Sequence, residues 1–202
     1  MHLQSFQNQS LQIYAVLKEL IILNSILAKN QAEITIALSG GRSPIELFEA
    51  MSLIDINWSK INITLVDERI IDSQHVDSNE YLLRKHLFKN NAKNVKYTPI
   101  YAHLNNKVNF NIDIIILGMG EDGHIASIFS NAAEYQKAID PTYKRPYIVV
   151  NPEIAPYPRI SLSLQKIIDT KYVLLSINGA KKLQIINNIK NINNQNNSKK
   201  YD

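Results

Sequence analysis

The chain has 202 residues, of which 45% are hydrophobic and 20% are charged, and its formal net charge is +4. This length and composition are typical of a single globular domain with a sizeable core. The absence of cysteine excludes disulfides, thiolate catalysis and cysteine-based metal sites. The basic balance favours phosphate or nucleic acid as a partner, but basic residues do not cluster with aromatic ones as in a nucleic-acid stacking platform. We therefore expect no nucleic-acid partner.

The N-terminal region carries no recognisable targeting signal. Gln4 and Gln7 lie where a secretory signal would have its charged and apolar parts. The apolar stretch at residues 11–28 is interrupted by Lys18 and Glu19, which argues against a membrane span. The sequence therefore predicts a cytoplasmic protein without a membrane partner.

Helical and strand patterns alternate along the chain. Apolar residues at helical spacing predict a first helix at residues 11–27, and further helical patterns follow at 44–54, 79–88, 125–135, 165–169 and 180–190. Short β-branched runs predict strands at 34–38, 61–66, 112–117, 147–150 and 172–177. Uninterrupted apolar strands are typical of parallel sheets that are buried on both faces. The alternation predicts an α/β fold, with a mostly parallel sheet flanked by helices on both faces.

The last part of the chain differs in composition from the rest. Residues 187–202 are rich in Asn and Lys and have low complexity. We therefore expect one domain over residues 1–186, followed by a tail over residues 187–202 that frays.

A glycine-rich loop follows the first predicted strand, with the sequence Ser39-Gly40-Gly41-Arg42-Ser43-Pro44. Glycine allows close backbone approach, and Ser43, Pro44 and Glu46 have the order of an N-cap, a first helical residue and a capping box. Such a loop presents backbone N–H groups and a helix dipole to an anion, and Arg42 adds a cation. The loop predicts a phosphate site, although a plain capped turn has the same pattern.

The second predicted strand ends in a cluster of charges. Asp67, Glu68 and Arg69 are followed by His75, Ser78 and Asn79. Two carboxylates and a guanidinium at a strand end favour substrate orientation or stabilisation of developing charge. A surface ion pair is an alternative interpretation. His75 is also typical of a simple loop histidine, and Ser78 or Asn79 also fits the cap of the next helix.

The third predicted strand leads into Gly118-Met119-Gly120-Glu121-Asp122-Gly123-His124. This run contains the GxGxxG spacing of dinucleotide-binding loops, but Glu121 and Asp122 place negative charge where a pyrophosphate would sit. That fingerprint also belongs to the first strand of a nucleotide-binding unit, whereas two strands precede this one. We instead predict a tight loop that presents His124 as a proton acceptor, with a nearby carboxylate fixing its tautomer. A purely structural histidine is the alternative.

Taken together and in this order, the motifs resemble those of the 6-phosphogluconolactonases and, more distantly, of the glucosamine-6-phosphate deaminases in the same superfamily. The resemblance extends to Pro158-Arg159-Ile160-Ser161 and to Gly179 with Lys182. Two positions separate the two activities. Ser127 stands where the deaminases have Phe, and Phe129 stands where they have their catalytic Glu.

The resemblance implies a modified Rossmann-like domain that hydrolyses 6-phosphogluconolactone, a phosphosugar lactone of the pentose phosphate pathway, without a cofactor or metal. It implies that His124 is the general base, that Asp122 orients it, and that Arg69 and Asp67 belong to the catalytic site. The implied substrate-binding residues are Ser39, Gly40, Gly41, Arg42, Ser43, Asn79, Gly120, Arg159 and Lys182. An amino-sugar-phosphate deaminase or isomerase and a non-catalytic sugar-phosphate sensor are the alternatives.

Overall fold

The computed structural model of the protein describes residues 3–103 and 111–198. Its helices are α1 (Gln9–Leu27), α2 (Ile45–Met51), α3 (Asn79–His86), α4 (Tyr135–Ala138), α5 (Leu164–Asp169) and α6 (Ala180–Ser198). Its strands are β1 (Ile34–Leu38), β2 (Ile61–Leu65), β3 (Asp67–Arg69), β4 (Lys96–Tyr97), β5 (Ile114–Leu117), β6 (Tyr147–Val150), β7 (Arg159–Leu162) and β8 (Tyr172–Leu175). Short 3₁₀ turns lie at Trp58–Lys60, Asn90–Ala92 and Ile100–His103.

Five strands form a parallel sheet in the order β4-β2-β1-β5-β8. Every residue of β1, β2 and β5 is buried, as expected for strands covered on both faces, although Thr35, Asn62 and Thr64 are polar. Helices flank the sheet. Because β1 pairs with both β2 and β5, the carboxyl ends of these three strands meet at the centre of one sheet edge. The predicted α/β fold with a mostly parallel sheet is confirmed.

A second sheet, which the sequence pattern did not predict, contains β3, β7 and β6 in antiparallel pairing. Strand β6 is the strand predicted at residues 147–150. It was predicted together with the strands of the parallel sheet but pairs antiparallel with β7 in the second sheet. Val66 connects the two sheets: its N–H donates to the carbonyl of Leu38 at 3.0 Å, and its carbonyl accepts from the N–H of Leu162 at 2.8 Å. The charged residues that seemed to follow a strand therefore form a strand of their own.

The predicted helix at 125–135 is wrong. Ala126 has a φ of 52°, which a helix does not contain, and the segment is built from turns with bonds from the N–H of Ile128 to Ile125 and from Ala132 to Phe129. In consecutive turns, each closed by a hydrogen bond from an N–H to the carbonyl three residues earlier, apolar residues three or four positions apart lie on one side. The sequence pattern of such turns is therefore the same as that of a helix. Only Tyr135–Ala138 is helical in this part of the chain.

The two terminal helices differ from expectation. Within the described ranges, α1 is the one helix that is long and apolar enough by length and composition to cross a membrane, so the sequence argument against a span was too strict. In the structure, α1 packs on the domain and buries Leu20, Leu23 and Leu27. Helix α6 continues past the predicted end at residue 190 and runs through the predicted boundary at 186. The division into domain and tail stays a prediction.

Candidate active site

An open cleft of about 220 Å³ lies at the carboxyl ends of β1, β2 and β5. Its lining includes residues from all three motifs and from two later segments of the chain. The predicted site residues that line it are Ser39, Gly40, Gly41, Arg42, Ser43, Asp67, Arg69, Asn79, Gly120, His124, Arg159 and Lys182. Asp122 does not line the cleft, but its carboxylate contacts the His124 ring. The structure therefore brings the predicted site together, although it does not by itself assign a role to each residue.

The glycine loop packs tightly against α3. A Cβ on Gly40 would come within 2.0 Å of Asn79 Oδ1, and Gly41 has a φ of 92°, so both positions require glycine.

The capping box predicted for Ser43 and Glu46 is wrong: α2 begins at Ile45, Pro44 is its cap, and no side chain bonds the first turn. The chain enters α2 through a turn in which the N–H of Ile45 approaches the carbonyl of Arg42 at 3.4 Å.

Glu68 holds α3 in place rather than facing the cleft. Its carboxylate is buried and accepts hydrogen bonds from the backbone N–H groups of Arg69, Asn79 and Glu80 at 2.7–2.8 Å and from the Ser78 hydroxyl at 3.0 Å. Burial raises the pKa of Glu68, although these hydrogen bonds oppose the shift. The interpretation of Ser78 as a helix cap is confirmed, because its hydroxyl also accepts from the N–H of Tyr81. Glu68 is thus a structural acid at the N-terminus of α3.

Asn79 is fixed by this arrangement beneath the glycine loop. Its side-chain amide donates to the carbonyl of Asp67 at 2.8 Å, which orients the other end of the group toward Gly40. Its Oδ1 is buried and has no hydrogen-bond partner among the described residues. This acceptor is therefore enclosed between the glycine loop and α3, where a Cβ on Gly40 would collide with it.

Arg69 and Arg159 lie directly opposite each other on β3 and β7, so both guanidinium groups share one face of the small sheet. The Nε atom of each is buried without a partner among the described residues, and the nearest carboxylate oxygen to Arg159, on Asp67, is 4.0 Å from Nη1. Burial, and then the neighbouring charge of Arg69, lowers the pKa of Arg159. Two like charges in this position favour an anion between or above them.

His124 is held by a short contact with Asp122. Its Nδ1 lies 2.6 Å from Asp122 Oδ1, and its side chain is 25% exposed. Partial burial opposes ionisation of Asp122, but the hydrogen bonds and charge of His124 outweigh it and lower the pKa of the carboxyl. An ionised carboxylate only accepts hydrogen bonds, so the ring proton of a neutral His124 belongs on Nδ1 and the lone pair on Nε2.

The loop around His124 leaves little freedom to the imidazole. A Cβ on Gly120 would lie 2.3 Å from the His124 ring, and the N–H of Gly120 donates to the carbonyl of His124 at 2.8 Å. The ring stacks at a tilt on Phe129, with 4.1 Å between centroids, and the Arg159 guanidinium lies over the same phenyl ring at 5.2 Å. Phe129 therefore contacts both the imidazole and the buried cation.

Other residues complete the cleft or lie beside it. The sequence missed Gln9 and Gln12 of α1 and Asn178 after β8, which line the cleft. Gln12 donates to the carbonyl of Ile177 at 2.6 Å and Asn178 donates to Gln9 at 2.8 Å. No local signal marks them, because their position depends on contacts more than 160 residues apart in the chain.

His75 lies outside the residues that line the cleft. Its Nδ1 accepts from the N–H of Asp77 at 3.1 Å, and its ring contacts Tyr157 edge-on. Within residues 3–103 and 111–198, no three His, Asp or Glu side chains cluster closely enough to hold a metal ion. The expectation of catalysis without a metal or cofactor stays a prediction.

A comparison with known families decides which one this site belongs to. Residues 9–200 match the family described as glucosamine-6-phosphate isomerases/6-phosphogluconolactonase. The chain belongs to this family.

Relatives in the isomerase/lactonase family agree with the site. The chain is 39% identical over 161 residues to a 6-phosphogluconolactonase of Neisseria meningitidis serogroup B, covering 73% of this chain and 70% of the relative. It is 35% identical over 169 residues to a 6-phosphogluconolactonase of Helicobacter pylori J99, covering 78% and 73%.

Solved structures of the family have the same fold. A 6-phosphogluconolactonase from Shewanella baltica superposes with a TM-score of 0.84 at 30% identity, covering 92% of this chain and 84% of that one. One from Thermotoga maritima superposes with a TM-score of 0.73 at 26% identity, covering 89% and 86%. The resemblance inferred from the motifs is confirmed at the level of the family.

Proposed function

We propose that this protein is a cytoplasmic 6-phosphogluconolactonase, which hydrolyses 6-phospho-D-glucono-1,5-lactone to 6-phospho-D-gluconate in the oxidative pentose phosphate pathway. The relatives described above support the lactonase side of the family. The observation that carries the mechanism is the His124–Asp122 contact of 2.6 Å in a cleft that also holds Arg69 and Arg159. The imidazole of His124 can accept a proton, and the guanidinium groups of Arg69 and Arg159 can stabilise negative charge.

His124 is the proposed general base. With its Nδ1 proton bonded to Asp122, Nε2 is free to take a proton from water as the water oxygen attacks the lactone carbonyl carbon. The tetrahedral intermediate then collapses, the bond from that carbon to the ring oxygen breaks, and the ring oxygen takes up the proton from His124. The product is a carboxylic acid, which ionises in solution. Asp122 keeps the productive tautomer throughout.

Arg69 and Arg159 are the proposed source of electrostatic stabilisation. Their cross-strand pairing places two guanidinium groups on one face of the small sheet. They donate to the backbone carbonyls of Asp77 and Pro156, whereas the carboxylate beside Arg159 stays 4.0 Å away, so their positive charge is only partly balanced. A developing oxyanion or a phosphate oxygen would balance the remaining charge in a site already desolvated. Asp67, 4.0 Å from Arg159, balances part of the positive charge when no substrate is present.

The phosphate of the substrate is proposed to lie on the Gly40–Ser43 backbone, assisted by Arg42, Lys182 and Arg159. All of these residues line the same cleft as His124. A phosphate held at several points restricts the ring, so that the carbonyl and the activated water meet in a defined geometry.

The deaminase alternative lacks its acid. Phe129 occupies the position of the deaminases' catalytic Glu, and here it is a buried phenyl ring in contact with both His124 and Arg159. A phenyl ring has no ionisable group and cannot act as an acid or a base.

We therefore expect acid release from 6-phosphogluconolactone, measured by pH-stat or NMR and corrected for spontaneous hydrolysis, and no ammonia from glucosamine 6-phosphate. Ammonia above the blank without faster lactone opening would favour the deaminase; binding of 6-phosphogluconate without turnover would favour the sensor.

The phosphate handle has its own test. Two charge-assisted hydrogen bonds of about 1.5 kcal/mol each correspond to an affinity ratio of about 100. At fixed salt, calorimetry should therefore show 6-phosphogluconate binding about 100-fold more tightly than unphosphorylated gluconate. Equal affinities would show that the phosphate is not what this cleft recognises.

A further inference from the structure

Ser127 is a buried serine that links the two polar halves of the site. It is fully buried, and its hydroxyl donates to Asp67 Oδ2 at 2.5 Å. Its backbone N–H donates to Ser161 Oγ at 3.0 Å, and that hydroxyl donates in turn to the carbonyl of Leu162 at 3.0 Å. Each hydroxyl has a single proton to donate, so the direction of every bond in this chain is determined.

The Ser127 hydroxyl sets the orientation of the Asp67 carboxylate. Among the residues that the structure describes, it makes the hydrogen bond to that carboxylate, whereas Arg159 Nη1 stays at 4.0 Å, beyond hydrogen-bond distance. Without the hydroxyl, the strongest remaining attraction on Asp67 is the Arg159 charge. A closer Asp67–Arg159 pair would neutralise the cation that the substrate requires.

The same hydroxyl ties the His124 loop to the small sheet. Ala126 immediately precedes Ser127 in the chain and lines the cleft. Its φ is 52°. Residues with a Cβ adopt this left-handed conformation only where the surrounding structure holds them. Ser127 follows immediately, and both of its hydrogen bonds reach the small sheet, at Asp67 in β3 and at Ser161 in β7.

We infer that Ser127 is a positioning residue for the hydrolysis proposed above: through Asp67 it keeps Arg159 available and keeps the His124 loop at a fixed place relative to β3. Ser127 does not line the cleft and is fully buried, so it acts on the site through its neighbours. Its effect is on turnover, because misplacement of the reacting groups raises the barrier while substrate contacts remain. The inference depends on the lactonase function only for this kinetic consequence.

The test compares Ser127→Ala with a matched control, Ser163→Ala. Ser163 is also fully buried, but its hydroxyl bonds the carbonyl of Arg145 and caps α5. We expect Ser127→Ala to lower kcat by about 10- to 100-fold, with a much smaller change in KM. Ser163→Ala should lose stability in a urea melt and keep its kcat. Equal kcat in the two variants would overturn the inference.

A double-mutant cycle separates positioning from general loosening of the core. If the Ser127 hydroxyl acts through Asp67, then Ser127→Ala should have almost no further effect on kcat in an Asp67→Ala background. Additive losses would mean that the hydroxyl acts by some other route and would contradict the inference.

A spectroscopic readout keeps this inference distinct from the proposed function. The imidazole signals of His124, assigned by NMR with a His124→Gln variant, should move in Ser127→Ala and stay in Ser163→Ala. If the wild type opens no lactone, the lactonase proposal fails, and these signals still decide the placement of the loop. Unmoved signals in Ser127→Ala would overturn the positioning role.

Discussion

The two sheets contribute opposite kinds of chemistry to one cleft. The parallel sheet is apolar inside and supplies glycine-rich loops, one of which carries a partly exposed imidazole beside a carboxylate that is 63% exposed. The antiparallel sheet buries charge instead, with Asp67, Glu68 and Arg159 each less than 10% exposed. Proton exchange with solvent requires the first environment, and strong electrostatic stabilisation requires the second.

This contrast predicts different outcomes for mutations in the two regions. An exposed catalytic group can be removed without leaving a buried polar atom unpaired, so the fold should tolerate its loss. A buried charge has partners that become unsatisfied when it is removed, so its loss should cost stability. Activity and stability should therefore respond separately in the two sheets.

The largest expected effect is on turnover, at His124. His124→Ala should lower kcat by about 10²–10⁴-fold, the usual contribution of a general base, because no other described histidine lines the cleft. The melting temperature and the affinity for 6-phosphogluconate should stay close to those of the wild type. Turnover near the wild-type level in a folded variant would remove His124 from the mechanism and break the contrast between the sheets.

Glu68→Gln should show the opposite behaviour. The variant places an amide NH2 against donors that now bond a carboxylate, and we expect a loss of about 2–3 kcal/mol in a urea melt. Glu49→Gln is the control, since the side chain of Glu49 is about half exposed and bonds His86 and Lys89 at the surface. An unchanged free energy of unfolding in Glu68→Gln would mean that the buried network does not stabilise α3.

The stability difference should also depend on pH with a definite sign. Burial raises the pKa of Glu68 above 4.5, so the folded state gains an additional part of its stability from the bound proton below about 4.5. That part is lost as pH rises through the raised value, whereas the hydrogen bonds to the carboxylate remain. The wild type should therefore exceed Glu68→Gln in stability by more at pH 4 than at pH 7.

Asp122→Asn is expected to have a smaller kinetic effect, of about tenfold or more on kcat, because the amide no longer enforces the Nδ1 tautomer. The contact with His124 lowers the pKa of Asp122, so the wild-type residue is an ionised acceptor near neutral pH, whereas the amide of the variant can also donate. The loss should appear in kcat, with little change in the affinity for 6-phosphogluconate measured by calorimetry. A kcat equal to that of the wild type would show that Asp122 does not act on His124.

The smallest expected effect concerns the glycine loop. Gly40→Ala should destabilise the fold by about 1–2 kcal/mol, because the new Cβ would collide with Asn79 Oδ1. Gly118→Ala is the matched control, since its nearest atom would be 3.9 Å away. Thermal melts of both variants give the comparison. A Gly40→Ala variant as stable as Gly118→Ala would show that the loop moves away from α3 at little cost.

The sequence by itself determined the parallel sheet and predicted the three motifs that line the cleft. Strands β1, β2 and β5 are rich in β-branched and other apolar residues, with Thr35, Asn62 and Thr64 as the buried polar exceptions. This composition is a local property of the sequence and is typical of strands buried on both faces. Because parallel strands share one direction, the motifs that follow β1 and β5, and the charges after β2, must meet at one edge. The sequence therefore predicted the cleft without any knowledge of its geometry.

The tertiary structure decided what no local pattern contains. The left-handed Ala126 and the antiparallel sheet depend on contacts between distant segments, such as the bond from Ser127 to Asp67, which spans 60 residues. For the same reason Glu68 and Asp67 are adjacent in sequence but have different surroundings, one beneath α3 and the other in the cleft. The periodicity of the sequence shows which side of a helix or strand is apolar. The burial and the hydrogen-bond partners of a side chain depend on which distant segments of the chain pack against that side.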